Sequence, residues 1–112
     1  MSEAKNFYAT IPAKMENMNS HIPSIPTGFG GMFAKLMGEG AISVMQKELI
    51  ALGIGVAQRC SPCIRMHVKK CLEAGATKDQ ILEAAGVAVM MGGGPTFMYT
   101  HEVIDALEAL GH

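Results

Sequence analysis

Cys60-Ser61-Pro62-Cys63 is a C-x-x-C run, and His67 follows its second cysteine by four residues. Ser61-Pro62 reads as an N-cap followed by proline at the first helical position, where the missing N–H does no harm. The pair is therefore placed at a helix start. There the unpaired backbone N–H groups and the positive end of the dipole stabilise an anion, so a thiolate has a depressed pKa and is the reactive form at neutral pH. The spacing also lets the two sulfurs meet. An imidazole one turn along the same face can accept the thiol proton or hold the thiolate as an ion pair, and His67 fits that role. Such a histidine is usually held in one tautomer by a hydrogen-bonding partner, often a carboxylate.

Two competing readings use the same residues. Cys60, Cys63, His67 and Cys71 spell C-x2-C-x3-H-x3-C, a permitted zinc ligand set. In a helix, however, Cys60 and Cys71 are 11 residues apart, about 16 Å along the axis, whereas one zinc needs sulfurs at about 2.3 Å. All four cannot bind one ion, but a site of Cys60, Cys63 and His67 stays open. The blander reading makes every cysteine a small buried hydrophobe. It is preferred for Cys71. For the C-x-x-C pair it is disfavoured, because a reducing compartment gives no structural use for the pairing.

Other residues carry weaker signals. Glu48 lies beside apolar Leu49 and Ile50, where a carboxylate is expensive unless paired. By itself a mid-helix Lys47 or Glu48 reads as a solvated face. His101 falls at apolar spacing and reads as a packed or hydrogen-bonded core histidine, while His21 and His112 read as arm and tail residues. Gly92-Gly93-Gly94 is not a phosphate loop, since no Lys-Ser/Thr follows and no strand precedes it. The ten methionines, Met32, Met90 and Met91 among them, are expected to line core and subunit contacts.

The elements that must position these residues all read as helices. Residues 1–26, with Pro12, Pro23, Pro26 and several Asn and Ser, read as an N-terminal extended arm with a short helix near Ala13 to Met18. The domain proper is expected over residues 27–112. A short helix is predicted from Phe29 to Met37, and a second from Ala41 to about Gln58, where Val44, Met45, Leu49, Leu52 and Val56 recur at helical spacing. Its C-terminal half is apolar all round, and Gly53 and Gly55 make sense if another helix approaches closely there. A third helix should run from Pro62 to about Ala74, closed by Gly75. Thr77 and Gln80 form a capping box that opens a fourth helix, from about Lys78 to Met91. Pro95 opens a fifth to about Leu110, with Phe97, His101, Ile104, Leu107 and Leu110 on one face. No segment alternates as a half-buried strand should.

Composition bounds the functions available. With 49% apolar and 17% charged residues in 112, the chain is not disordered, and its length suits one domain. So small a chain leaves much of its surface wet, so this apolar content predicts a homo-oligomer. Nine basic against ten acidic residues, with no basic run beyond Lys69-Lys70, leave no footprint for nucleic acid or an anionic membrane. The apolar stretches Leu49 to Ala57 and Ala84 to Met91 fall short of the ~18 residues a membrane span needs. The N-terminus lacks the apolar region of a secretory signal, so a cytoplasmic location is expected.

The chemistry-bearing residues resemble the alkyl hydroperoxidase D-like (AhpD-like) branch of the carboxymuconolactone decarboxylase superfamily. Its motif is a Glu, then C-x-x-C twelve residues later, then a His four residues after the second cysteine. Glu48, Cys60, Cys63 and His67 match it, and Cys71 to Ala84 looks like the family's next helix-turn-helix. The resemblance covers about residues 27–110. It implies an all-α, AhpD-like helical bundle, an obligate oligomer assembling as trimers or hexamers, with a cofactor-free thiol pair that cycles between dithiol and disulfide. Carried over, Cys63 is the peroxidatic thiol that becomes a sulfenic acid, and Cys60 resolves it to a disulfide. His67 and Glu48 form the proton relay, which gives Glu48 the partner it lacked. The implied partners are a hydroperoxide or disulfide substrate and a dithiol electron-donor protein. Two features depart from the namesake: Ser61-Pro62 replaces a histidine between the cysteines, and the chain is a single motif unit. The alternatives are a zinc-stabilised or non-catalytic oligomeric module, and a cofactor-free decarboxylase, whose branch generally lacks the C-x-x-C.

Overall fold

Side-chain caps set several of the boundaries. Thr77 Oγ1 accepts from Gln80 N–H at 3.1 Å while Gln80 Oε1 accepts from Thr77 N–H at 2.8 Å, which is the expected capping box. Ser43 and Gln46, at the same spacing, make a second box. In the computed structural model, which describes residues 2–112, the chain forms seven helices: α1 (Glu3–His21), α2 (Ser24–Met37), α3 (Val44–Ala57), α4 (Ser61–Glu73), α5 (Lys78–Gly92), α6 (Gly94–Phe97) and α7 (Thr100–Ala109). The described residues contain no strand. The all-α class is as expected.

The N-terminal segment is a helix of 19 residues, which takes in the short helix expected near Ala13 to Met18 and replaces the extended chain around it. Ser2 caps it by accepting from Lys5 N–H at 3.1 Å, and Glu3 suits the positive end of its dipole. Pro12 sits inside and removes one backbone bond. Tertiary contact compensates: Ala4 is buried, and Tyr8 packs on the core and donates its hydroxyl to the Arg65 carbonyl at 2.6 Å. Pro23 and Pro26 likewise belong to the start of α2, where their missing N–H groups would find no intrahelical acceptor anyway.

The core lies where α3, α4, α5 and α7 meet. Leu52 and Val56 of α3, Ile64 and Val68 of α4, Ile81 and Ala85 of α5, and Val103 and Leu107 of α7 are buried together. The expected last helix is broken in two at Met98–Tyr99. Tyr99 N–H bonds back to Thr96 at 2.9 Å and Thr100 Oγ1 donates to the Phe97 carbonyl at 2.7 Å, a tight turn that rotates the register of α7. Leu107 and Leu110 pack on the core as expected, but Val103 and Ala106 join them there, while Phe97, His101 and Ile104 of the expected face are exposed. His101 is not a core residue; its Nδ1 lies 3.3 Å from Asp105 Oδ2 on the helix surface. Met90 and Met91, both 84% exposed, are not core either. Met91 joins Ile50, Ile54 and Val87 in an exposed apolar face over α3 and α5.

Candidate active site

The turn between α3 and α4 sets the position of both cysteines. Arg59 N–H bonds to the Val56 carbonyl and Cys60 N–H to the Gly55 carbonyl, each at 3.0 Å, the pair of bonds that closes a Schellman turn. Its left-handed residue is Arg59, at φ 56°, where glycine is the usual occupant. The chain reverses there, and Cys60 becomes the N-cap of α4, its Sγ accepting from Cys63 N–H at 3.3 Å. Ser61 is thus the first helical residue and not the cap that was expected. Its hydroxyl is turned elsewhere and donates to Glu102 Oε1 on α7 at 3.0 Å.

Cys60 and Cys63 are joined in a disulfide, with Cα atoms 5.2 Å apart. The start of α4 comes this close to α3 because position 55 has no side chain. A Cβ on Gly55 would stand 3.2 Å from Cys63 Cβ, so the glycine does serve a close helix approach, as its position suggested. Gly53 is less constrained, with its nearest neighbour, the Ala84 carbonyl, at 3.7 Å.

One turn beyond Cys63, His67 Nδ1–H donates to Glu48 Oε1 at 2.7 Å. Glu48 is only 4% exposed, so the solvated-face reading fails for it, and a buried carboxylate has found the partner it requires. Lys47, partly buried, donates to the carbonyls of Gly38 and Leu36 at the end of α2, at 2.6 and 3.0 Å. With Nδ1 donating, the other ring nitrogen of His67 keeps its lone pair for proton transfer. The His67 ring stacks on Phe33 of α2, centroids 6.4 Å apart.

Cys63 and His67 both line a groove of about 480 Å³ between α1, α2 and α4, whose other walls include Phe7, Phe29, Phe33 and Met66. Cys60 is not among its lining residues. A dissolved oxidant entering by this groove meets Cys63 first. Cys71 lies one turn after His67, fully buried and outside the disulfide. Burial, reinforced by the negative charge of Glu48, pushes its thiol up from 9.0 to about 12, so it stays a neutral packed side chain. Both motif sulfurs are bonded to each other, and no group of three His, Cys, Asp or Glu among the described residues is arranged to hold a metal. The three-ligand zinc arrangement is not formed.

The structure thus brings all four expected residues together. Sequence reasoning missed Glu102, whose Oε2 is buried without a hydrogen-bond partner while Oε1 takes the Ser61 hydroxyl. A lone acidic residue in the first turn of the last helix carried no local sign of this contact, 41 residues away in sequence.

The sequence and the fold have relatives among known proteins. An uncharacterized protein of Cupriavidus necator is 31% identical over 88 residues, covering 79% of this chain and 78% of its own length. The alkyl hydroperoxide reductase AhpD of Mycobacteroides abscessus is 29% identical over 63 residues, 56% of this chain but only 36% of that protein. Among solved structures, the apo form of a carboxymuconolactone decarboxylase family protein from Legionella pneumophila superposes over 100% of both chains, with a TM-score of 0.91 at 31% identity. The sequence profile of the Carboxymuconolactone decarboxylase family matches residues 23–106, a span that holds Glu48, Cys60, Cys63 and His67, and the chain belongs to that family.

Proposed function

We propose that the protein is a thiol-dependent peroxidase that cycles Cys60 and Cys63 between dithiol and disulfide, with His67 and Glu48 as the proton relay. The observation that carries this reading is the joint opening of Cys63 and His67 onto one groove, with His67 held by a buried carboxylate and the partner sulfur already within bonding reach. The distant AhpD relatives support the same chemistry.

In the reduced protein the N-terminus of α4 favours the Cys63 thiolate, and His67 takes its proton. The thiolate attacks the distal oxygen of R–O–OH; an S–O bond forms and the O–O bond breaks. The departing alkoxide receives the proton from His67 and leaves as R–OH. Cys60 then attacks the sulfenic sulfur, the S–S bond forms, and hydroxide leaves as water with the Cys60 proton. The two electrons come from the dithiol. An external dithiol protein restores it by exchange through a mixed disulfide. The exposed apolar face over α3 and α5 supports assembly as a homotrimer or homohexamer.

Thiol counting on reduced protein given one equivalent of peroxide tests the reading. Two thiols should disappear in the native chain. Cys60→Ser should stop at a sulfenic acid on Cys63 that dimedone traps, and Cys63→Ser should lose no thiol. Unchanged thiols in the native chain would refute the proposal.

A further inference from the structure

The groove that Cys63 and His67 line has almost entirely apolar walls, contributed by residues such as Ile11 and Met15 of α1 and Phe29 of α2. Hydrogen peroxide has no use for such walls. One lysine lines the groove, Lys70, whose Nζ stands 5.1 Å over the Phe33 ring, held there by the ring's negative face. Lys70 makes no ion pair among the described residues. Lys70 follows Cys63 by seven residues on α4, two turns along the same face, so their Cα atoms stand about 10 Å apart along the axis.

An apolar groove with a reactive thiol at one station and an unpaired cation two turns away matches a ligand with an alkyl chain, an oxidising group and an anion farther along the chain. We propose that the groove binds hydroperoxides of long-chain fatty acids, with the chain on the apolar walls, the carboxylate on Lys70 and the hydroperoxide group at Cys63. This rests on Cys63 being the thiol that attacks peroxide, and it names the substrate class of that step. The fatty acyl hydroperoxide is reduced to the alcohol and water by the two electrons and two protons of the Cys60/Cys63 dithiol. Lys70 takes no part in the bond changes; it selects the substrate.

The test compares oxidation of the reduced protein by linoleic acid hydroperoxide, its methyl ester, tert-butyl hydroperoxide and hydrogen peroxide, all below micellar concentrations. The acid should react fastest, and should exceed its uncharged ester by about fivefold, the size of one partly exposed ion pair. In Lys70→Met the acid-to-ester ratio should fall to one. Oleate, which carries no peroxide, should bind the reduced native chain in a calorimetric titration and bind more weakly to Lys70→Met. Equal rates for acid and ester, a ratio that Lys70→Met leaves unchanged, or no oleate binding because a second copy of the chain covers the groove would each overturn the proposal while leaving the peroxidase reading intact. Thiols that none of the four oxidants touches would sink both.

Discussion

His67 Nδ1–H donates to Glu48 Oε1 at 2.7 Å across the contact between α4 and α3. The bond fixes the histidine tautomer and gives a buried carboxylate its partner. Glu48→Gln keeps the shape and removes the charge, and its amide can present an N–H to Nδ1, which favours the opposite tautomer. We expect peroxide-driven thiol oxidation to slow roughly a hundredfold, with the far-ultraviolet circular dichroism unchanged. Stopped-flow kinetics measure the first and a spectrum the second; a native rate in the variant would remove Glu48 from the relay.

Gly55 sets how near α4 can lie to α3. Its missing Cβ would be 3.2 Å from Cys63 Cβ and 3.6 Å from the Cys63 carbonyl carbon, and backbone cannot swing aside as a flexible side chain can. Gly55→Ala should destabilise the oxidised protein by about 1–3 kcal/mol. The midpoint of urea unfolding at unchanged slope reports it.

Ser61 and Glu102 tie the residue between the cysteines to α7. Ser61→Ala leaves the Glu102 carboxylate without a side-chain donor, because its buried Oε2 has none already, so the loss should be about 1–3 kcal/mol. Adding Glu102→Leu removes the stranded acceptor and should restore most of that loss. A double-mutant cycle in denaturant checks it, and strictly additive effects would contradict the coupling.

Cys71 and Tyr8 tie stability to alkaline pH. Burial pushes Cys71 from 9.0 to about 12. It also pushes Tyr8 from 10.0 to about 12, against a smaller opposing pull from the Arg65 charge. The folded chain therefore holds protons that the unfolded chain releases. The stability these groups contribute is full below pH 9 and is lost as pH rises from about 9 toward 12. Unfolding free energies across that range should fall steadily, more shallowly in Cys71→Ala. At pH 8 a disulfide reagent should modify two thiols of the reduced folded protein, and the third only after denaturation.

Local chemistry made much of this molecule legible without coordinates. The helix over Val44–Ala57, the C-x-x-C at the start of the next helix and the Thr77–Gln80 capping box arise from residues within a turn or two of one another, and such effects act whatever the rest of the chain does. Gly75 as the end of α4 belongs with them: it sits at φ 94° and completes a Schellman turn. Family likeness, not local chemistry, joined Glu48 to His67.

The other relationships between residues far apart in sequence required the fold. Residues 3–21 look like an arm because proline and asparagine oppose a helix locally. They form one because Ala4 and Tyr8 gain burial and a hydrogen bond on α4, 57 residues away for Tyr8 and Arg65. The rotation of α7, which exposes His101 and Ile104 and turns Val103 and Ala106 inward, comes from a turn at Met98–Tyr99 that the apolar spacing does not record. Chain composition and spacing determined which groups can react and where each helix starts. Only tertiary packing decided which carboxylate reaches Ser61, which sulfur faces the groove, and that Lys70 stands over it, since burial and pairing depend on neighbours brought by other helices.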